Sequence, residues 1–117
     1  MRFEMFADNN ITAPKELRMY AESRVGLGVY RAADRLSFVG VRLRRDDADA
    51  AESPVQCQLE TWMRGLGVVT ARHADADSYV AIDGAAALLE QAVLRKLGEA
   101  ATTDADEQEL YAGFTSD

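Results

Sequence analysis

The chain has 117 residues, of which 48% are hydrophobic, a length and composition suited to one domain with a small core. Its net charge of −7 argues against indiscriminate nucleic-acid binding, and its apolar runs are too short to cross a membrane. The single cysteine, Cys57, excludes an internal disulfide and favours a reducing, cytoplasmic location, while Cys57 and His73 are too few for a zinc site.

The N-terminal third predicts a strand and then a long helix. Residues 2–7 alternate between two faces, which is typical of a strand. Thr12 is a candidate helix cap, and Pro14 is tolerated in a first turn because it loses no helical hydrogen bond there. Apolar residues then recur at steps of three and four, which predicts a helix to about Leu36. They are Leu17, Ala21, Val25, Gly28 and Ala32.

Gly26 and Gly28 form a G-x-G inside this helical pattern. A phosphate-binding loop needs such glycines between a strand and a helix start, where backbone N–H groups are free. The pattern here begins about ten residues earlier, so the amides are used by the helix and a nucleotide loop is disfavoured. Gly28 is expected to let the helix approach a sheet closely, and Gly26 points outward.

Three further strands are predicted over residues 37–45, 55–63 and 68–73, with a hairpin turn at 64–67. Each has one apolar face, so the helices are expected to pack on a single side of the sheet. The polar face should carry Arg42, Arg44, Gln56, Gln58, Glu60, Trp62, Thr70 and Arg72. Trp62 beside arginines permits stacking on single-stranded nucleic acid, but without a second well-placed aromatic a solvated face is the simpler interpretation.

A second helix is predicted from a cap at Asp77 or Ser78 to about Ala100. The predicted fold is therefore α+β, in the order β-α-β-β-β-α, with two helices packed on one face of a four-stranded sheet. Residues 1–100 form this domain. Residues 101–117 hold five acids and no bases, and are predicted to be an acidic, disordered tail.

The basic residues concentrate in one segment. Residues 14–45 carry eight bases and three acids, a net charge of +5. Arg24, Arg31 and Arg35 stand seven and four apart, so in a helix they line one flank. That flank is either a contact for RNA phosphates or an ordinary solvated surface.

Met19, Leu27 and Tyr30 are expected on the outward side of the same helix. Apolar residues there suit a protein interface, including self-association of this face, although scattered surface hydrophobes are common.

The stretch DSYVAIDGAAALLEQAVLRKL, residues 77–97, resembles the second helix of the ribosome hibernation-promoting factor and ribosome-associated inhibitor family. Its Asp-x-Tyr-x-Ala-Ile-Asp pattern is filled by Asp77, Tyr79, Ala81, Ile82 and Asp83. The opening ITAPKELRMYAESRV, residues 11–25, is similar to the family's first helix. The likeness covers about residues 1–100 and suggests a divergent short member.

The resemblance implies binding to the small ribosomal subunit between head and body, where the family's short members block the path of messenger and transfer RNA during starvation. No chemistry and no cofactor are implied. Basic helix side chains of the family contact rRNA phosphates, which carries over here to Arg18, Arg24, Arg31, Arg35, Arg95 and Lys96.

Four positions depart from the family's pattern, since Leu27, Tyr30, Leu88 and Gln91 stand where basic residues are usual. Two functions therefore stay open. One is ribosome-associated translation inhibition, and the other is a divergent, non-ribosomal copy of the fold acting as a homodimeric or protein-interaction module.

An enzyme is the least favoured class. His73 has Asp75 and Ser78 near in sequence, but no nucleophile elbow or convergent acid, base and nucleophile is present, so His73 is expected to be a strand-end polar residue. Cys57 falls on the inward side of its strand and is expected to be inert core.

Overall fold

The computed structural model describes the backbone of residues 2–8, 11–45 and 53–115, with side chains as far as Glu99. The α+β class and the order of elements are as predicted. In chain order they are β1 (Arg2–Ala7), α1 (Lys15–Val29), a 3₁₀ helix (Tyr30–Arg35), β2 (Leu36–Arg45), β3 (Val55–Met63), β4 (Gly67–Asp75) and α2 (Ser78–Thr115).

The four strands form one mixed sheet in the order β1-β2-β3-β4. β1 pairs with β2 in parallel, and α1 makes the crossover between them. The pairs β2–β3 and β3–β4 are antiparallel, and glycines with positive φ, Gly65 and Gly67, shape the turn that joins β3 to β4. Side chains of one sheet face form the core with both helices, which leaves the other face open to solvent.

A β-bulge at Ser37 sets which residues of β2 enter the core. Residues two apart in a regular strand lie on the same face. Because the register shifts between Leu36 and Phe38, Leu36 instead lies in the core while Phe38 lies on the open face. Thr61 is the buried polar side chain of the described core, and its hydroxyl donates a 2.7 Å hydrogen bond to the carbonyl oxygen of Phe38. This hydrogen bond gives the buried Thr61 hydroxyl a partner next to the β-bulge.

The first helix differs from the prediction at both ends. Its N-cap is Pro14, with no side-chain cap, so Thr12 does not have the expected role. The α-helix ends at Val29 and continues as a 3₁₀ helix to Arg35, directly before β2. Gly26 and Gly28 each lower helix propensity by about 1 kcal/mol, and the α-helical geometry stops one residue after them. Gly28 was expected to face the sheet, but it faces α2 instead. A Cβ on Gly28 would lie 3.6 Å from the Ala86 carbonyl oxygen.

The second helix begins as predicted, since the Tyr79 N–H donates a 2.8 Å hydrogen bond to Asp77 Oδ1. It runs to Thr115, beyond the expected end near Ala100. Residues 99–112 contain neither proline nor glycine, so their sequence holds no strong helix breaker. The division into a domain and a disordered acidic tail at residue 100 stays a prediction, because side chains after Glu99 lie outside the described residues.

Candidate RNA-binding surface

The two helices lie side by side and run in the same direction. Near their starts the rings of Tyr20 and Tyr79 have centroids 5.0 Å apart. Further along, Gly28 of α1 faces Ala86 and Glu90 of α2. The residue numbers of the contacting positions increase together along α1 and α2, so the two helices are parallel.

Asp83 joins the two helices at the centre of this contact. The Tyr20 hydroxyl donates a hydrogen bond to Asp83 Oδ1, and Arg24 Nε lies 3.5 Å from the same oxygen. The hydrogen bond to the Asp83 carboxylate is the main cause that raises the pKa of Tyr20 above its ordinary value, because ionising the phenol would remove the donor. Arg24 is half-buried and engaged within the molecule, which makes it less available to a partner than an exposed arginine.

The other five basic residues differ in position and exposure. Arg18, Arg31 and Arg95 are exposed, whereas Arg35 and Lys96 are half-buried. The 3₁₀ helix contacts α2. The pKa of Arg31 is raised mainly by its hydrogen bond to the Tyr30 hydroxyl and in smaller part by the Glu90 carboxylate of α2.

Arg31 therefore lies toward the middle of α2, near Glu90 and about one turn before Arg95, while Arg18 lies near the start of α1.

The 3₁₀ geometry changes the basic flank expected from the sequence. A spacing of four residues leaves two side chains about 40° apart around an α-helix but about 120° apart around a 3₁₀ helix. Arg31 and Arg35 both fall in the 3₁₀ segment, so the two side chains are farther apart around the axis than an α-helix would place them. A shared flank of Arg24 and Arg31 stays a prediction, and both residues lie toward Glu90 of α2.

Apolar side chains occupy the outward surface of the helix layer, which consists of α1, the 3₁₀ helix and α2. Met19, Leu27 and Tyr30 are 60%, 70% and 64% exposed, and Leu88 of α2 is 44% exposed. Their outward position agrees with the sequence prediction. The helix layer thus combines exposed cations with exposed apolar groups.

The open sheet face carries two further aromatic side chains besides Trp62, and the sequence analysis did not connect them. Phe38 lies on this face because it alternates with the buried Val39, and Phe6 lies on it because β1 pairs with β2 in the observed register. The alternation in residues 2–7 already placed Phe6 opposite Met5. The missing information was the neighbour of β1, which a local pattern does not contain.

His73 and Cys57 are register partners on the core side of β3 and β4. Cys57 is fully buried, and the His73 ring packs against Gly84 of α2. Among residues 2–8, 11–45 and 53–99, no three histidine, cysteine, aspartate or glutamate side chains are grouped so that they could hold a metal ion. Within the same part of the chain, no helix has the length and hydropathy required to span a membrane.

The elements define a small α+β domain, with a parallel helix pair on one face of a mixed sheet. Two solved structures share it. The N-terminal domain of Protein Y from Thermus thermophilus is 25% identical, with a TM-score of 0.65, and the match covers 81% of this chain and 98% of that one. A ribosomal subunit interface protein from Coxiella burnetii is 15% identical, with a TM-score of 0.69, and the match covers 84% of this chain and 99% of that one.

Both solved proteins are of the ribosome hibernation-promoting factor family, so the resemblance stated from the sequence is confirmed. No protein-family model and no curated protein matches the sequence.

Proposed function

We propose that this protein associates with ribosomes in the cytoplasm and reduces translation by occupying the messenger and transfer RNA path of the small subunit. It acts by binding alone, without a reaction or a cofactor. The observation that supports this most directly is the match to two ribosome-interface proteins over more than four fifths of the chain, 81% and 84%.

The proposed rRNA contacts are Arg18, Arg24, Arg31, Arg35, Arg95 and Lys96. Arg31 and Arg95 are the strongest members of the set, since both are exposed and they belong to the 3₁₀ helix and α2, which contact each other. Guanidinium groups suit phosphate because they donate two parallel hydrogen bonds. Arg24 is the weakest member, because a phosphate must compete there with Asp83.

Cosedimentation with small ribosomal subunits tests this proposal. Wild-type protein should pellet with subunits at 50 mM salt and progressively less as salt rises, because phosphate contacts release counterions. Arg31→Glu and Arg95→Glu should each weaken binding and lower the salt slope by about one unit.

Arg64→Glu is the matched control, since it makes the same charge change in the turn between β3 and β4, where Arg64 is exposed and belongs to neither the helix layer nor the open sheet face. It should pellet like wild type. Absence from the subunit fraction at 50 mM salt would contradict the proposal. Occlusion also predicts that subunits preloaded with messenger and initiator transfer RNA bind less of the protein, and equal binding would exclude that mechanism.

A protein-interaction module is the second candidate function. Met19, Leu27 and Tyr30 are each at least 60% exposed on the helix layer, and such side chains favour burial against a partner or a second copy. Light scattering at tens of micromolar distinguishes the two functions. A stable dimer that becomes monomeric in Leu27→Lys, together with no binding to ribosomal subunits, supports this second candidate.

A further inference from the structure

Three aromatic rings form a diagonal line across the open sheet face. Trp62 on β3 stands directly beside Phe38 on β2. The Phe38 ring bends along its own strand over Gly40, where a Cβ would lie 2.9 Å from Phe38 Cζ. Phe6 on β1 lies one step further, level with Arg42. Because the Phe38 ring is displaced about two residues along β2, each step from one ring to the next crosses one strand and about two residues. This corresponds to about 8 Å between neighbouring rings of the aromatic diagonal.

The aromatic diagonal is accessible to a ligand. Trp62 is 52% and Phe6 is 60% exposed, and Phe38 is half-buried against the glycine below it. A shallow cavity of about 320 Å³ lies between Phe6 and Phe38. Gln58 and Glu60 also line it, so a planar ring held there would meet hydrogen-bonding groups at its edge.

Arginines accompany the rings. Arg42 and Arg72 lie in the same row of the sheet as Phe6, with Gln58 between them. Arg2 lies in the row of Phe38 and Trp62. The side chains of Arg42 and Arg2 are 63% and 75% exposed, although Arg42 lies 3.9 Å from Asp8 Oδ1 and Arg2 is paired with Glu4. The rings thus have cations at both ends, and a row with Glu4, Glu60 and Thr70 separates Phe6 from Phe38 and Trp62.

We propose that the open sheet face binds single-stranded nucleic acid. Successive bases stack on Trp62, Phe38 and Phe6, while Arg42 and Arg72 contact the phosphates. The Gln58 amide donates or accepts hydrogen bonds at the edge of the base in the cavity, and the Glu60 carboxylate accepts them. This surface lies on the opposite side of the sheet from the helix layer and does not depend on ribosome binding.

Tryptophan fluorescence tests the proposal directly, because Trp62 is the single tryptophan of the chain. The full-length protein is titrated at 50 mM salt with eight-nucleotide strands of mixed sequence, one of RNA and one of DNA. Stacking of a base on Trp62 should quench the emission with at least one of these strands. A blunt duplex of the same sequence should leave the emission unchanged, because its bases are not free to stack on the protein.

Phe6→Ala keeps the Trp62 reporter and removes the opposite end of the aromatic diagonal. It should weaken binding about tenfold, as expected when one stacked base is lost. Val80→Ala is the control, since Val80 is an exposed apolar residue, 42%, at the start of α2 on the other side of the sheet. It should bind like wild type. Thermal unfolding confirms that both variants are folded, and both positions are at the surface.

Three results would overturn the proposal: unquenched Trp62 emission with both strands, equal quenching by the duplex, or wild-type affinity in Phe6→Ala. A concentration-dependent dimer lost in Trp62→Ala, with no response to either strand, would assign the face to a protein contact instead. Arg31→Glu should bind the short strands like wild type, so failure of ribosome binding and failure of this surface are distinguishable.

Discussion

At the scale of single residues, Cys57 shows how burial changes a side chain's chemistry. The thiol is fully buried on β3, and burial raises its pKa to about 12 from an ordinary value of 9.0. Between these two values the unfolded chain loses the proton and the folded chain keeps it. The free energy of unfolding should therefore fall as pH rises above 9, by about 1.4 kcal/mol per pH unit for this group.

Urea unfolding between pH 8 and pH 10.5 measures this dependence. Cys57→Ala removes the thiol and serves as the control. Its free energy of unfolding should be lower than that of wild type and should depend less on pH above 9. Identical slopes in the two proteins would show that Cys57 does not contribute. The native thiol should also react slowly with a thiol reagent at pH 8, since it is both protonated and inaccessible.

Asp83 shows where residue-scale prediction from sequence reaches its limit. The pattern of residues 77–83 identified it as part of a family motif, and the structure shows a physical role in joining α1 to α2. Its partner Tyr20 is 63 positions away in the chain, so no local spacing brings the two together. The same limit explains why Arg24, predicted either to contact RNA phosphates or to lie on a solvated flank, is found beside the Asp83 carboxylate of α2.

At the scale of elements, Gly84 fixes how closely α2 packs on β4. A Cβ at this position would lie 2.1 Å from Cδ2 of the His73 ring. Alanine is normally favoured over glycine inside a helix by about 1 kcal/mol, but here the ring must move first. Gly84→Ala should therefore lower the melting temperature, and the same change in a His73→Ala background should raise it. A higher melting temperature in the single variant would contradict this packing.

The elements themselves were predictable to different degrees. β3 was predicted with its observed bounds, Val55–Met63, because strict alternation over nine residues fits only a strand. The end of α1 was not, because an α-helix and a 3₁₀ helix have similar local sequences and the transition at Val29 depends on the connection to β2. The aromatic diagonal was missed for a related reason, since it needs the pairing of β1 with β2.

At the scale of the whole molecule, charge is separated along the chain. Residues 14–45 carry a net charge of +5, and the five acids of residues 101–117 have no bases among them. The backbone of α2 continues from Arg95 and Lys96 to Thr115, so four of these acids follow on the same helix. They are Asp104, Asp106, Glu107 and Glu109. Their negative field opposes the approach of any polyanion to the basic residues.

Replacing these four acids with Asn and Gln changes the net charge from −7 to −3. If the basic helix residues contact rRNA, the variant should pellet with ribosomal subunits more strongly than wild type at 50 mM salt. The gain should shrink toward 300 mM, because the Debye length falls below about 10 Å above 0.1 M. The control exchanges Asp for Glu and Glu for Asp at the same positions, which keeps the charge and should bind like wild type. A gain that persists at high salt, or that the charge-conserving control also shows, would mean that the effect comes from the helix rather than from its charge.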